Sequence, residues 1–183
     1  TVIDSNNRQG AYEATDYLIK LGHTRIGFIT GNMEINAARE RLEGYKTVLK
    51  KNNLIFEQAL VVKGDFTQRA GYEAAKTLLQ LRQPPTAIFS PNDLAAFGVM
   101  DAVREAGLRI PEDMSVIGFD DIPQASLTYP KLTSVRQPLQ EMGRIAVKLL
   151  LEQIHQPDRA TQHITLETQL VKRDSCKSIE RSS

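Results

Sequence analysis

Hydrophobic positions follow two rhythms along this chain, and the two alternate. Four short runs are apolar on nearly every residue: 25–30 (RIGFIT), 60–64 (LVVKG), 86–90 (TAIFS) and 115–119 (SVIGF). Continuous apolarity over so few residues predicts strands buried on both faces, as in a parallel sheet covered by helices. Between them the period lengthens to that of a helix. Over 68–82, Ala70, Ala74, Ala75, Leu78 and Leu79 share one stripe, and Thr67 stands where a cap is needed. Residues 37–53 predict a second helix with Asn36 as its cap. A third runs from Asp93, behind the potential cap Asn92, and stops at Gly107. The strands begin at residues 25, 59 or 60, 86 and 115, a repeat of roughly thirty residues that suits a strand, a crossover helix and a return. An open, doubly wound α/β sheet is the expected fold class.

The ends depart from this rhythm. Residues 1–4 look like a strand with nothing before it, and 6–22 like a helix stopped at Gly22. Beyond TSVRQP, residues 139–154 form an amphipathic helix with Leu139, Met142, Ala146, Leu149 and Leu150 on one face. A loop containing Pro157 leads to one last strand over 163–173 (HITLETQLVKR).

Composition removes several function classes. The 183 residues are 41% hydrophobic and 25% charged, ordinary for a soluble domain. A formal net charge of +1 carries no basic excess, so the chain itself is not expected to bind nucleic acid. No apolar run approaches a membrane span, and the first residues have neither a charged nor an apolar leader region, so no membrane partner and no signal peptide are expected. The single Cys176 rules out a disulfide framework or a zinc cluster and fits a reducing cytoplasm. With no histidine near it in sequence, Cys176 is not expected to act as a nucleophile.

The candidate chemistry sits where strands end. Two carboxylates, Asp120 and Asp121, follow the apolar run 115–119 directly, and ligands of open α/β sheets bind outside the carboxyl ends of the strands. Other strand exits deliver Asn32 and Glu34, Asp65 and Phe66, and Asn92 and Asp93, while Arg41 lies early in a helix that starts at the same rim. Carboxylates and amides accept from hydroxyls, an arginine donates a fork of hydrogen bonds, and a phenylalanine covers an apolar ring face, a set suited to a polyhydroxylated ligand. Each residue also has a plainer reading. Asp121 can shape the turn, Asp93 can favour a helix N-terminus, Asn92 can cap, Phe66 can be core, and Arg41 can be a surface charge. No G-x-G-x-x-G, G-K-[ST] or G-x-S-x-G is present, and His23, His155 and His163 are scattered, with His23 placed to cap a helix exit. No cofactor, no metal ion and no enzymatic activity are expected.

At these residues the chain resembles the LacI/GalR family of bacterial transcription repressors, in their effector-binding core. The matching phrases are LIKLGHTRIGFITG (18–31), RLEGYKTVL (41–49), GDFTQRAGYEAAKTLL (64–79), PTAIFSPNDLAAFGVMDAVREAGLRIPEDMSVIGFDD (85–121) and PKLTSVRQPLQEMGRIAVKLLL (130–151). The resemblance implies a periplasmic-binding-protein-like fold of type I, two α/β lobes joined by three chain crossings, of which this chain would hold one complete lobe and part of the second. Residues 1–6 would be the last strand of the N-terminal lobe's first pass, 7–136 the C-terminal effector-binding lobe, 137–166 the return segment, and 167–183 a final strand and polar tail. By position, Arg41 matches the effector-holding arginine of R-x-x-G-[YFW], and Asp120 the first acid of G-[FY]-D-[DN]. Phe66 matches a stacking aromatic in some members, and Asn92 with Asp93 the N-D pair. Ile35 and Ala37 are apolar where effector-binding members often carry polar contacts.

The implied function is the effector-binding domain of a sugar- or metabolite-responsive repressor. Such a protein would be cytoplasmic and homodimeric and would read operator DNA through a domain absent from this chain. The dimer would use Leu94, Phe97 and Met100 of the helix 93–106, with Ile122 and Leu127 of the following loop. A solute-binding receptor of a sugar transport system is the alternative. The stripe on 139–154, without its far-lobe partners, is expected to project from the main body or to meet another copy.

Overall fold

The computed structural model describes residues 1–156 and 160–179. The loop around Pro157 and the last four residues of the expected tail lie outside the described residues. The main body is a six-stranded sheet built from β2 (Ile26–Ile29), β3 (Val61–Val62), β4 (Ala87–Phe89), β5 (Ser115–Asp120), β6 (Thr133–Arg136) and β8 (Gln169–Val171). Their order is β3-β2-β4-β5-β6-β8, parallel except where β8 runs antiparallel to β6. The chain moves outward from β2 to the edge at β3, then returns across β2 to β4. The connections therefore reverse direction between β2 and β4, and a crevice opens at their carboxyl ends.

Burial explains the continuous apolar runs. Phe28, Phe89, Ile117 and Phe119 face α1 (Asn7–Lys20) and α2 (Asn36–Lys51), which contribute Ala14, Leu18, Tyr45 and Val48. On the other face Ile29, Ile88 and Val116 meet Ala75 and Leu78 of α3 (Gln68–Leu79) and Ala96, Val99 and Met100 of α4 (Asp93–Glu105). Thr67 caps α3 through Ala70 N at 3.1 Å, Asn92 caps α4 through Ala95 N at 2.9 Å, and Gly107 exits α4 at φ +75°.

Several expectations are corrected. Asn36 does not cap α2; Ile35 holds that position without a side-chain bond, and the Asn36 amide reaches Glu40 at 2.6 Å. The helix starts one residue early because the preceding turn is already closed, by Ile35 N to Asn32 O and by Arg39 on the Met33 and Glu34 carbonyls. His23 does not cap with its ring either. Its buried imidazole bridges Thr86 Oγ1 at 2.8 Å and the Lys177 carbonyl at 3.1 Å, and burial lowers its pKa. The final run 163–173 is two strands. β7 (His163–Leu166) pairs in parallel with β1 (Val2–Ser5), away from the main sheet, and the chain then crosses to β8.

β6 itself is a strand that the hydrophobic pattern did not announce. Its Thr133 and Ser134 are buried, and their polarity is satisfied: Thr133 N donates to Ser175 Oγ at 2.8 Å and Ser134 Oγ to Asp93 at 2.5 Å.

Helix α5 (Leu139–His155) lies beside β1, where Ala146, Leu149 and Leu150 face Ile3 across a groove of about 490 Å³. It has no buried residue, and Leu139, Val147, Leu150, Leu151 and Ile154 are exposed. Among the described residues no helix is long and apolar enough to cross a membrane.

Candidate functional site

Arg41 lies in the second turn of α2, at the carboxyl edge of the sheet, and is only 5% exposed. Its guanidinium lies 3.6 Å from the ring centre of Phe119 and 5.9 Å from that of Phe66, so aromatic faces replace much of its water. Nε donates to Asn7 Oδ1 at 2.9 Å, Nη1 donates to the Pro91 carbonyl, and Nη2 stands 3.9 Å from Asp120 Oδ1. Burial lowers its pKa to about 10, against the pull of Asp120, Asp4 and Asp93; it stays a cation at neutral pH with N–H groups to spare.

Asp120 closes β5. Its carboxyl pKa is raised by burial and held back by Arg41 and by the Gln137 amide, which donates to Oδ1 at 2.6 Å. Its backbone sits at φ +107° and that of Phe66 at +72°, conformations that side-chain-bearing residues avoid. Each such residue costs on the order of 1–3 kcal/mol and persists only where its surroundings hold it. For Phe66 the surroundings are visible: its ring lies against Gly31, where a Cβ would fall 2.0 Å from Phe66 Cζ. Any other residue at position 31 would displace the ring from Arg41.

The remaining candidates divide. Asn92 spends its side-chain oxygen on the α4 cap. Asp93 turns away from the crevice: it accepts from Ser134 Oγ and from Ile122 N at 2.8 Å, fully buried, with its pKa pushed up to about 7 by that burial. Gly118 makes this possible, since a Cβ there would lie 2.2 Å from the Asp93 carboxylate. Asp121 is the centre of two ion pairs, with Arg136 at 2.7 Å and Arg173 at 2.6 Å. Asn32 and Glu34 stay on the exposed rim, and Asp65 binds Thr67 at 2.7 Å, which lowers its pKa. Arg41, Asp120 and Phe66 therefore come together, while Asn92 and Asp93 brace the frame behind them. A hollow of about 570 Å³ opens next to Asp120, lined by Ile122, Arg136, Gln137, Leu139 and Glu141. It lies on the β5–β6 side, and Arg41 is not among the residues that line it.

Asn7, Ser5, Gln137 and the Pro91 carbonyl also belong to the site, and sequence reading missed them. None carries a charge, and their place in the site depends on bonds spanning up to 132 positions. Among the described residues no group of three histidine, cysteine, aspartate or glutamate side chains is placed to hold a metal ion.

Comparison with known proteins places this geometry in context. Residues 15–176 match the periplasmic binding protein-like domain family. The chain is similar to the HTH-type transcriptional repressor PurR of Haemophilus influenzae, 40% identical over 181 residues, covering 97% of this chain and 54% of that protein. It is also similar to the ribose operon repressor of Escherichia coli, 41% identical over 174 residues, covering 95% and 53%. A LacI family transcriptional regulator from Enterococcus faecium, solved with bound ribose, superimposes with a TM-score of 0.91 at 31% identity over 97% of this chain and 66% of that one. The chain spans about half the length of the curated relatives it matches.

Proposed function

The chain belongs to the periplasmic binding protein-like domain family, with the LacI-family regulators, and on that premise we propose that it is the effector-binding part of a sugar- or metabolite-responsive transcription repressor. The observation that carries the reading is the Arg41–Asp120 pair: a buried cation and a carboxylate 3.9 Å apart at the carboxyl edge of the sheet, with Phe66 beside the cation. A hydroxyl placed between them accepts from Nη2 and donates to the carboxylate at once, which a purely apolar ligand cannot do.

In this reading residues 7–136 form the C-terminal lobe, 1–6 and 137–166 belong to a second lobe, and 167–183 are a final strand and polar tail. The protein works in the cytoplasm, as a homodimer, and reads operator DNA through sequence outside this chain, which alone does not bind DNA. Leu94 and Leu127, both exposed, are available to a partner subunit, whereas Met100 is core and drops out of the expected dimer face. The named relatives are repressors and a regulator, which supports this reading over a solute receptor and over an enzyme.

A thermal-shift screen of the full-length protein against pentoses, hexoses, their phosphates and purines tests it. A true effector at a hundred times its Kd should raise the midpoint by about 3–5 °C. A flat response across all four classes would sink the proposal.

A further inference from the structure

The two anchors of the site are parts of a closed ring of side chains that also contains the chain crossings. Arg41 Nε donates to Asn7 Oδ1, and the Asn7 amide donates at 3.0 Å to both the Ser5 carbonyl and Asp4 Oδ1. Ser5 Oγ donates to Gln137 Oε1 at 2.6 Å, and Gln137 Nε2 donates to Asp120 Oδ1 at 2.6 Å. Asp120 faces Arg41 again and closes the circuit. The amide orientation of Gln137 is dictated by chemistry, because a rotated amide would set its oxygen against the Asp120 carboxylate.

Ser5 and Asn7 flank the connection between β1 and α1, and Gln137 begins the connection between β6 and α5. These are two of the three places where the chain passes between the small β1–β7 sheet and the main body. The third, after β7, is bound to the first through Asn6 N on the Leu166 carbonyl at 2.8 Å. Ser5 and Asn7 are each 1% exposed, so water cannot substitute for a broken link at either.

We propose that Asn7 and Gln137 are positioning residues which couple the effector anchors Arg41 and Asp120 to the crossings, so that seating a ligand and setting the crossing geometry are one event. The proposal rests on the reading of Arg41 and Asp120 as anchors. A ligand that shifts the guanidinium or the carboxylate must move Ser5 or Gln137 as well, because the links from Arg41 through Asn7 to Ser5 and from Asp120 to Gln137 are already made at hydrogen-bond length. Coupling of this kind is the physical content of a binding-induced change in lobe arrangement.

Two arms test it. Without ligand, Asn7→Ala and Gln137→Leu are compared singly and together by urea unfolding. Their side chains do not touch, so independent sites would add, whereas a ring predicts that the second cut changes the unfolding constant less than it does alone. Additive effects would overturn the ring. With D-ribose as the probe, the wild-type protein at saturation should slow amide exchange at Asn6 and Gln137 by about tenfold, within the usual range of coupling between sites. Gln137→Leu should bind ribose more weakly and, once saturated, slow those amides less than twofold. Wild-type slowing in the saturated variant would refute the coupling. Arg41→Ala is the control: unchanged ribose affinity there, beside a non-additive cycle, would refute the anchor assignment while the ring itself stands.

Discussion

The main body and the α5–β1–β7 unit carry equally clear hydrophobic patterns and use them differently. In β5 five of six residues are buried, and every apolar face of α1 to α4 finds the sheet. In α5 a stripe of similar strength over seventeen residues buries nothing fully and meets only a two-stranded sheet. An amphipathic pattern states what a helix needs, and burial depends on whether the partner strands are in the same chain. Two strands supply too little apolar surface to cover a helix of that length.

The sharpest way to break this comparison is to truncate one large apolar side chain in each region. Phe89→Ala removes a ring packed edge-on against Phe28 in the closed core and should cost about 3–5 kcal/mol in urea unfolding. Leu150→Ala, on the exposed stripe, should stay within about 0.5 kcal/mol. Comparable losses in both would mean that α5 is as tightly packed in solution as the core.

A second prediction concerns what holds β8 to the main sheet. Asp121→Ala deprives Arg173 and Arg136 of their shared partner and should cost about 2–3 kcal/mol, with β8 amides exchanging faster than those of β4. Equal exchange in the two strands would show that backbone pairing alone secures β8.

Asp93 gives a smaller, pH-dependent effect. Its pKa in the folded protein, about 7, lies above its unfolded value, so the stabilisation it contributes is complete below about pH 4 and is lost as pH rises through 7. Asp93→Asn keeps an acceptor for Ile122 N and removes the buried charge. The variant should lose this slope and exceed the wild type at pH 8 by more than about 1 kcal/mol, the equivalent of one pKa unit. Parallel stability curves from pH 5 to 8 would contradict the assignment.

Much of this arrangement was legible in the sequence, for identifiable reasons. Strands β2, β4 and β5 are apolar on both faces because helices cover both, and Asp120 could be placed because the strand before it fixes where the next residue falls. β6 stayed hidden because Thr133 and Ser134 are buried polar residues whose partners, Ser175 and Asp93, lie 42 and 41 positions away. The break between β7 and β8 stayed hidden because HITLETQLVKR alternates through a point where the chain changes sheets. Arg41 and Asp120 could be singled out as candidates, but the residues hydrogen-bonded to them, Asn7 and Gln137, are neutral amides that drew no attention by themselves.

The account stands most directly on Arg41. Calorimetric titration of D-ribose, or of whichever effector the ligand screen identifies, into the full-length wild type and Arg41→Ala compares the site with and without its cation. Loss of hydrogen bonds from a charged donor should weaken binding by about 1.5–3 kcal/mol, a factor of roughly 10 to 150 in Kd. An unchanged Kd in a variant that still folds would contradict the claim that the Arg41–Asp120 pair holds the effector.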